Sequence, residues 1–231
     1  MAITDTILIE PSILSADYTR LGDQVREAEG AGAESLQIDV MDGHFVPNLT
    51  FGPGIVRALR PLVRLPLDVH LMIDNPDSFL KPFADAGADR LIVHREACPD
   101  LADTLRSIHD LGMQAGVALS PDTDARALAD ILGQADVIQV MTVYPGFGGQ
   151  KFLPSQLEKI SRLREMLAAI GKDVPVAVDG GIDGETAPRV VAAGARVLVA
   201  GSAIYNTRGT VADNVAALRA AARSGLPPGR A

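Results

Sequence analysis

Short runs of aliphatic and β-branched residues alternate with longer segments of helical periodicity along the whole chain, and this alternation limits the possible folds more than any other feature. Eight runs are predicted as strands, at residues 7–11, 36–40, 67–71, 91–94, 115–119, 137–141, 176–179 and 197–200. Between them, apolar residues recur at helical spacing, for example Leu101, Leu105 and Ile108. Pieces such as DAGADR and AAGARV supply the glycine that ends a helix before the next strand. Eight βα units without a break in composition predict a single (β/α)8 TIM barrel over residues 1–224, with residues 225–231 as a frayed tail.

The composition excludes several classes of protein. The 231 residues are 47% hydrophobic but only 4% aromatic, so the core must be built from aliphatic layers. A formal net charge of -8 argues against a nucleic-acid partner, which requires a basic face. No apolar run approaches the roughly 20 residues of a membrane-spanning helix, and the first residues lack the pattern of a signal peptide. With a single cysteine, Cys98, the sequence predicts a soluble cytoplasmic protein that has no disulfide framework and no membrane partner.

Polar residues end three of the predicted strands. Asp39 ends the second strand, His70 lies at the end of the third, and Asp179 ends the seventh. The carboxyl ends of the strands carry the chemistry in α/β barrels, and burying an unpaired carboxylate or imidazole costs on the order of 2–5 kcal/mol. Asp39 and Asp179 would flank a ligand, and paired acids suit a two-base proton transfer beside a ketone. Taken singly, each acid could equally cap a helix, and His70 could be a hydrogen-bonded core residue.

The same three side chains are candidate ligands for a divalent metal ion. Such an ion would stabilise a developing enediolate as a Lewis acid. Asp and His ligands are compatible with zinc, iron, cobalt or manganese.

Glycine-rich segments follow the last three strands. The loops concerned contain Gly146, Phe147, Gly148 and Gly149 after the sixth strand, Gly180 and Gly181 after the seventh, and Gly201 and Ser202 after the eighth. Because these loops lie side by side at the mouth of the barrel, their backbone N–H groups can surround an anion despite the net acidity of the chain. One glycine pair alone would be interpreted as a tight turn. Three together predict a phosphate site.

These motifs give the chain a resemblance to the ribulose-phosphate 3-epimerase family that covers almost its whole length. The matching segments are PSILSAD at 11–17, DVMDGHFVPN at 39–48, DVHLM at 68–72, VMTV at 140–143, PGFGGQ at 145–150, VDGGI at 178–182 and VAGSAI at 199–204. The resemblance implies a TIM barrel of the ribulose-phosphate-binding type. It also implies interconversion of D-ribulose 5-phosphate and D-xylulose 5-phosphate through a cis-enediolate, within the pentose phosphate pathway of carbohydrate metabolism.

Roles for individual residues follow from this resemblance. Asp39 and Asp179 would be the opposed acid/base residues, and Ser12 and His70 would contact the substrate. Three methionines would form an apolar ceiling over the reacting carbons, namely Met41, Met72 and Met141, although Met also fills gaps in ordinary cores. The residues that would hold the phosphate are Gly146, Phe147, Gly148, Gly149, Gly180, Gly181, Gly201 and Ser202. A homo-oligomer is also expected.

The sequence departs from the family pattern at two positions. Where the family usually has a metal-binding histidine two residues before the acid of the second strand, this chain has Gln37. An amide oxygen is a harder and weaker ligand than imidazole, so affinity for zinc or iron should fall and magnesium or manganese should compete better. Altered metal selectivity, weak metal binding, and stabilisation by hydrogen bonds without metal all remain open. Tyr144 stands where an acidic or small polar residue is common, and its effect is not assigned from sequence.

The sequence distinguishes this epimerase activity less clearly from related functions. A paralogous epimerase could act on another ketose phosphate, such as allulose 6-phosphate. A related decarboxylase would carry Asp-x-Lys-x-x-Asp on the second strand, but Met41 occupies the lysine position. A phosphosugar-binding protein without turnover is the alternative from a different class, favoured if Gln37 has abolished the electrophile.

Overall fold

The computed structural model describes residues 6–227, and this part of the chain forms eight strands that alternate with seven α-helices. In chain order the elements are β1 Leu8–Pro11, α1 Leu21–Gly30, β2 Leu36–Met41, α2 Pro53–Leu59, β3 Leu67–Met72, α3 Leu80–Ala86, β4 Arg90–His94, α4 Leu101–Asp110, β5 Gln114–Leu119, β6 Val137–Met141, α5 Gln156–Ala169, β7 Val176–Asp179, α6 Ala187–Ala193, β8 Val197–Ala200 and α7 Val211–Arg223. The predicted frayed tail lies partly outside the described residues, from 228 onward. Between residues 6 and 227, no helix combines the length and the apolar character needed to cross a membrane.

All strand pairs are parallel, and the sheet order runs β1-β8-β7-β6-β5-β4-β3-β2. The two end strands meet through a single parallel bridge between Ser12 and Gln37 and through a hydrogen bond from Glu34 N to Ile9 O of 3.1 Å. The predicted TIM barrel is therefore confirmed, with its seam between β1 and β2. Two of the predicted helix-ending glycines, Gly87 and Gly194, cap α3 and α6 in the left-handed region, at φ values of 97° and 115°.

The connection after β5 differs from the others. Among the described residues it contains a short 3-10 helix, Ala125–Leu128, in place of an α-helix. The side chain of Asp124 accepts a hydrogen bond from Arg126 N and begins this short helix. The turn is followed closely by Gly133, which has low helix propensity. The fifth βα unit is thus shorter than the regular alternation predicts.

The aliphatic core lies mainly between the strands and the surrounding helices. Fully buried residues of that layer include Ile38, Val69 and Val178, which point outward from the barrel toward the helices. Inside the barrel the apolar cluster is small and consists of Ile92, Ala118, Val137, Ala177 and Val197. The predicted aliphatic layers therefore describe the outer core, whereas much of the barrel interior is polar.

Charged residues are buried inside the barrel, near the amino-terminal ends of the strands. Glu10 and Asp68 are both buried, and Arg90 Nη1 donates a hydrogen bond to Asp68. Burial, reinforced by the charge of Asp68, raises the pKa of Glu10 well above its usual range. Burial also raises the pKa of Asp68 to about 6, although the charge of Arg90 opposes it. Burying these two carboxyl groups lowers the free energy of unfolding by an amount that depends on pH.

Candidate active site

Asp39, His70 and Asp179 come together at one end of the barrel. Asp39 and His70 are direct neighbours in the β2–β3 register, and Asp179 reaches them from β7 across the interior. His70 Nδ1 lies 3.0 Å from Asp39 Oδ1 and 3.4 Å from Asp179 Oδ2. The fold thus assembles a compact cluster from residues that are far apart in the sequence.

Gln37 links the two acids of this cluster. Its Nε2 donates to Asp39 Oδ1 at 2.8 Å and to Asp179 Oδ2 at 2.7 Å. Gln139 of β6, which sequence reasoning missed, also donates to Asp179 Oδ2, at 3.1 Å. The other oxygen of Asp39, Oδ2, accepts a hydrogen bond from Ser12 Oγ at 2.6 Å. Each carboxylate is therefore held in place by several hydrogen-bond donors.

The ionisation of the cluster is set by the two acids and His70 together. Burial opposes a positive charge on His70, but hydrogen bonds to Asp179 and Asp39, with their charges, outweigh it and raise the pKa of His70 to about 9. Burial raises the pKa of Asp179, reinforced by the negative charge of Asp39 and opposed by the hydrogen bond from His70. At neutral pH an imidazolium ion therefore lies between the two acids.

The cluster fits the requirements of a divalent metal ion. Ligand atoms of Asp39, His70 and Asp179 all lie within 4.8 Å of one another, and carboxylate oxygen with imidazole nitrogen is a common ligand set. In addition, Gln37 Oε1 is buried without a hydrogen-bond partner among the described residues. Turning this amide by 180° would exchange its oxygen and nitrogen and direct the oxygen at the acids. The residues present can therefore hold a metal ion, with Gln37 as a neutral fourth donor.

A second buried histidine extends the cluster away from the acids. His94, at the end of β4, is fully buried, and its Nε2 lies 2.9 Å from Nε2 of His70. Its Nδ1 lies 3.1 Å from Oε2 of Glu96. Burial, with the nearby His70, lowers the pKa of His94 to about 4 against the raising effect of Glu96. His94 is not among the predicted site residues, because its HRE context does not show that its ring points inward.

The glycine loops border a pocket directly above the cluster. Of the predicted residues, it is lined by Ser12, Asp39, Met41, Met72, Met141, Gly146, Phe147, Gly148, Gly149, Asp179, Gly180, Gly181, Gly201 and Ser202. His70 and Gln37 lie beneath this surface, so neither lines the pocket. Ser15 and Gln150 also line it and were missed; both fall within the motifs PSILSAD and PGFGGQ.

Glycine is required at several of these positions for steric reasons. Gly180 has a φ of 116°, and a Cβ atom there would lie 2.3 Å from Cγ2 of Val143. A Cβ on Gly201 would lie 2.4 Å from Oγ of Ser15. No lysine or arginine lines the pocket in the described part of the chain. Within residues 6–227, the backbone N–H groups of Gly181 and Ser202 have no hydrogen-bond acceptor, so both remain available to an anion.

The loop after β6 is tied to its surroundings on both sides. Asn48 Nδ2 donates to Gly146 O at 2.8 Å, and Gln150 Nε2 donates to Phe147 O at 2.9 Å. The hydroxyl of Tyr144, one of the two departures, donates to Asp122 Oδ1 in the loop after β5 at 2.9 Å. The tyrosine thus connects the pocket loop after β6 to the neighbouring loop after β5.

Met41 and Met72 form a small apolar cluster with Val46, and Leu14 and Phe45 pack against it. Met41, Met72 and Met141 are all buried and all border the pocket. An apolar wall therefore faces the polar floor.

Fold and pocket together define a (β/α)8-barrel enzyme with two neighbouring carboxylates at the carboxyl ends of its strands. A family model described as the ribulose-phosphate 3 epimerase family matches residues 8–205. The ribulose-phosphate 3-epimerase of Bacillus subtilis (strain 168) is 52% identical over 200 residues, covering 86% of this chain and 92% of the relative. That of Rhodobacter capsulatus is 46% identical over 232 residues, covering 98% and 100%. The chain belongs to the ribulose-phosphate 3-epimerase family, which confirms the resemblance and makes it an isomerase.

Solved structures of lower identity support the fold alone. A 3-hexulose-6-phosphate synthase matches with a TM-score of 0.70 at 20% identity, over 93% of this chain and 99% of the other. A thiamine phosphate pyrophosphorylase from Pyrococcus furiosus matches with a TM-score of 0.65 at 18% identity, over 97% and 99%.

Proposed function

We propose that the protein interconverts D-ribulose 5-phosphate and D-xylulose 5-phosphate by proton transfer at C3 between Asp39 and Asp179. The observation that carries this proposal is the pair of acids, which approach from β2 and β7 and share one donor, Gln37 Nε2, at 2.8 and 2.7 Å. Both acids line the pocket that the glycine loops border. The names of the relatives agree with this substrate.

The chain's own residues account for binding and orientation. Free N–H groups of Gly181 and Ser202 would hold the phosphate at the rim, where a neutral backbone suits a dianion better than the acids of the floor. With the phosphate at the rim, the chain of carbons extends toward Asp39 and Asp179. The buried methionines would exclude water from the reacting carbons, which strengthens electrostatic interactions there.

Proton transfer then requires the two acids in opposite protonation states. One acid, as carboxylate, removes the C3 proton, and the other, as the neutral acid, returns a proton to the opposite face. The raised pKa of Asp179 favours its neutral form relative to an ordinary aspartic acid, so it can begin as the acid. Asp39, which accepts three hydrogen bonds, can begin as the base. The reverse reaction exchanges these states.

A divalent metal ion fits this site, held by Asp39, His70 and Asp179 with Gln37 as a neutral donor. When bound, it would supply positive charge to the enediolate oxygens.

Solvent exchange tests the proposal directly. The protein is incubated with ribulose 5-phosphate in D2O, with and without added Mn²⁺ or Zn²⁺, and deuterium at C3 is followed by NMR. Deuterium in both epimers is expected. Absence of exchange under every condition would overturn the proposal, and faster exchange of allulose 6-phosphate would replace the substrate while preserving the mechanism.

A further inference from the structure

A continuous line of hydrogen bonds runs from the acid cluster to the barrel rim. It begins at Asp39, passes through the rings of His70 and His94, and ends at Glu96. The other oxygen of Glu96, Oε1, accepts from Ser120 N at 2.9 Å and also contacts the hydroxyl of Thr123. Ser120 Oγ approaches His94 Nδ1 at 3.4 Å, a longer contact than the 3.1 Å to Glu96.

The direction of these hydrogen bonds is determined by Glu96. A carboxylate can only accept, so the hydrogen between Glu96 and His94 belongs to Nδ1 of His94. A neutral imidazole carries one hydrogen, which leaves Nε2 of His94 as an acceptor. Because the two Nε2 atoms are 2.9 Å apart and need one hydrogen between them, that hydrogen belongs to His70. Nδ1 of His70 is then the nitrogen whose lone pair can be offered to a cation.

We propose that Glu96 and His94 are positioning residues that keep the hydrogen of neutral His70 on Nε2, so that Nδ1 can bind a cation between Asp39 and Asp179. The proposal rests on the proposed function, since it assigns these residues to the same site. Buried partners that fix the tautomer of a ligating histidine commonly change metal affinity by about 10–100-fold when they are removed.

Substituting Glu96→Gln should exchange the donor and acceptor roles along this line of hydrogen bonds. The backbone N–H of Ser120 can only donate, so the amide oxygen of the new side chain must take the place of Oε1. Its NH2 group then faces Nδ1 of His94, which has to become an acceptor. The hydrogen of His94 moves to Nε2, Nε2 of His70 becomes an acceptor, and the remaining hydrogen of neutral His70 occupies Nδ1. A cation would find no lone pair there.

Affinity for Mn²⁺ and Zn²⁺, measured by competition with a chelator, should fall by about 10–100-fold in Glu96→Gln. Glu96→Ala leaves the direction of the line undetermined, so its loss should be smaller. A side chain that served only to pack would give the opposite order, because Gln preserves its shape and Ala does not. Glu158→Gln, the same change at an exposed position of α5, is the matched control and should bind as the unmodified protein does.

Nitrogen NMR of the metal-free proteins, recorded above about pH 9 so that His70 is neutral, provides a readout independent of the cation and of activity. The chain has only four histidines, so the ring of His94 can be assigned. Its hydrogen is expected on Nδ1 in the unmodified protein and on Nε2 in Glu96→Gln. An unchanged tautomer, or greater loss of affinity in Glu96→Ala than in Glu96→Gln, would overturn the proposal. If the unmodified protein binds neither cation, the metal component of the proposed function fails, and with it the cation role given to His70, whereas the NMR result still decides whether Glu96 orients the line.

Discussion

Replacing each acid separately by asparagine should divide the proton transfer into its two halves. In Asp179→Asn, the amide oxygen can keep the place of Oδ2, which receives all of the contacts from Gln37, Gln139 and His70. In Asp39→Asn, the amide oxygen can keep the contacts to Gln37 and His70, while the hydroxyl of Ser12 turns to accept from the new NH2 group. Both variants should therefore fold with a nearly unchanged site.

The expected loss follows from the role of each acid. A positioned general acid or base contributes about 10²–10⁴-fold to the rate, which corresponds to roughly 3–5 kcal/mol of transition-state stabilisation. Epimerisation needs both acids, so kcat/KM should fall by this amount in either variant. Asp110→Asn, the same change at an exposed position of α4, should leave activity within twofold.

Isotope exchange then separates the two acids. Each variant retains one base, which can still remove the C3 proton of the one epimer that presents this proton to it. In D2O, Asp39→Asn and Asp179→Asn should each exchange the C3 hydrogen of one epimer only, and the two variants should exchange opposite epimers. Exchange of the same epimer by both, or epimerisation within tenfold of the unmodified protein, would refute the assignment of opposed acids.

Three further predictions follow from the contacts described. Gly201→Ala places a Cβ 2.4 Å from Ser15 Oγ and should raise KM about tenfold or more with a smaller effect on kcat, whereas Gly184→Ala, which meets no atom within 4 Å, should not. Glu10→Gln should stabilise the protein increasingly above pH 4.5, by about 1.4 kcal/mol per pH unit until the raised folded-state pKa of Glu10 is reached, because folded Glu10 retains a proton that it loses on unfolding. Urea unfolding of both proteins at pH 5 and pH 8 measures this gain in the free energy of unfolding. An equal gain at the two pH values would contradict the prediction. Since a metal ion must displace the proton of His70 from Nδ1, Mn²⁺ affinity should fall about tenfold per pH unit below about pH 9, and a flat titration between pH 6.5 and 8.5 would contradict this.

The strands could be predicted closely because their signal is local. Runs of aliphatic and β-branched residues with a nearby glycine or proline mark the strands, and the predicted bounds differ from the observed ones by a single residue at most. The connection after β5 could not be predicted as well. Its apolar residues suggest a helix, but side-chain bonds such as that of Asp124 compete with the helix locally.

Within the site, residues at strand ends could be predicted and their hydrogen-bond partners could not. Alternation along β2 and β3 places Asp39 and His70 on the inner face once a barrel is assumed. The link between His70 and His94 depends on ring orientation, which the sequence does not encode locally. Gln139 was missed for a similar reason, because a single amide on an apolar strand carries no motif.

Charge balance alone does not decide among the three possibilities that Gln37 leaves open. A divalent ion held by Asp39, Asp179 and neutral His70 would balance two ionised carboxylates, and Gln37 can contribute its oxygen without adding charge. Without an ion, the site reaches the same neutrality when one acid keeps its proton beside protonated His70, which is the state from which the proposed proton transfer begins. The distinguishing observation is therefore Oε1 of Gln37, which is buried without a hydrogen-bond partner among the described residues. Because a buried polar atom normally has a partner, this oxygen favours a weakened or retuned metal site over a lost one.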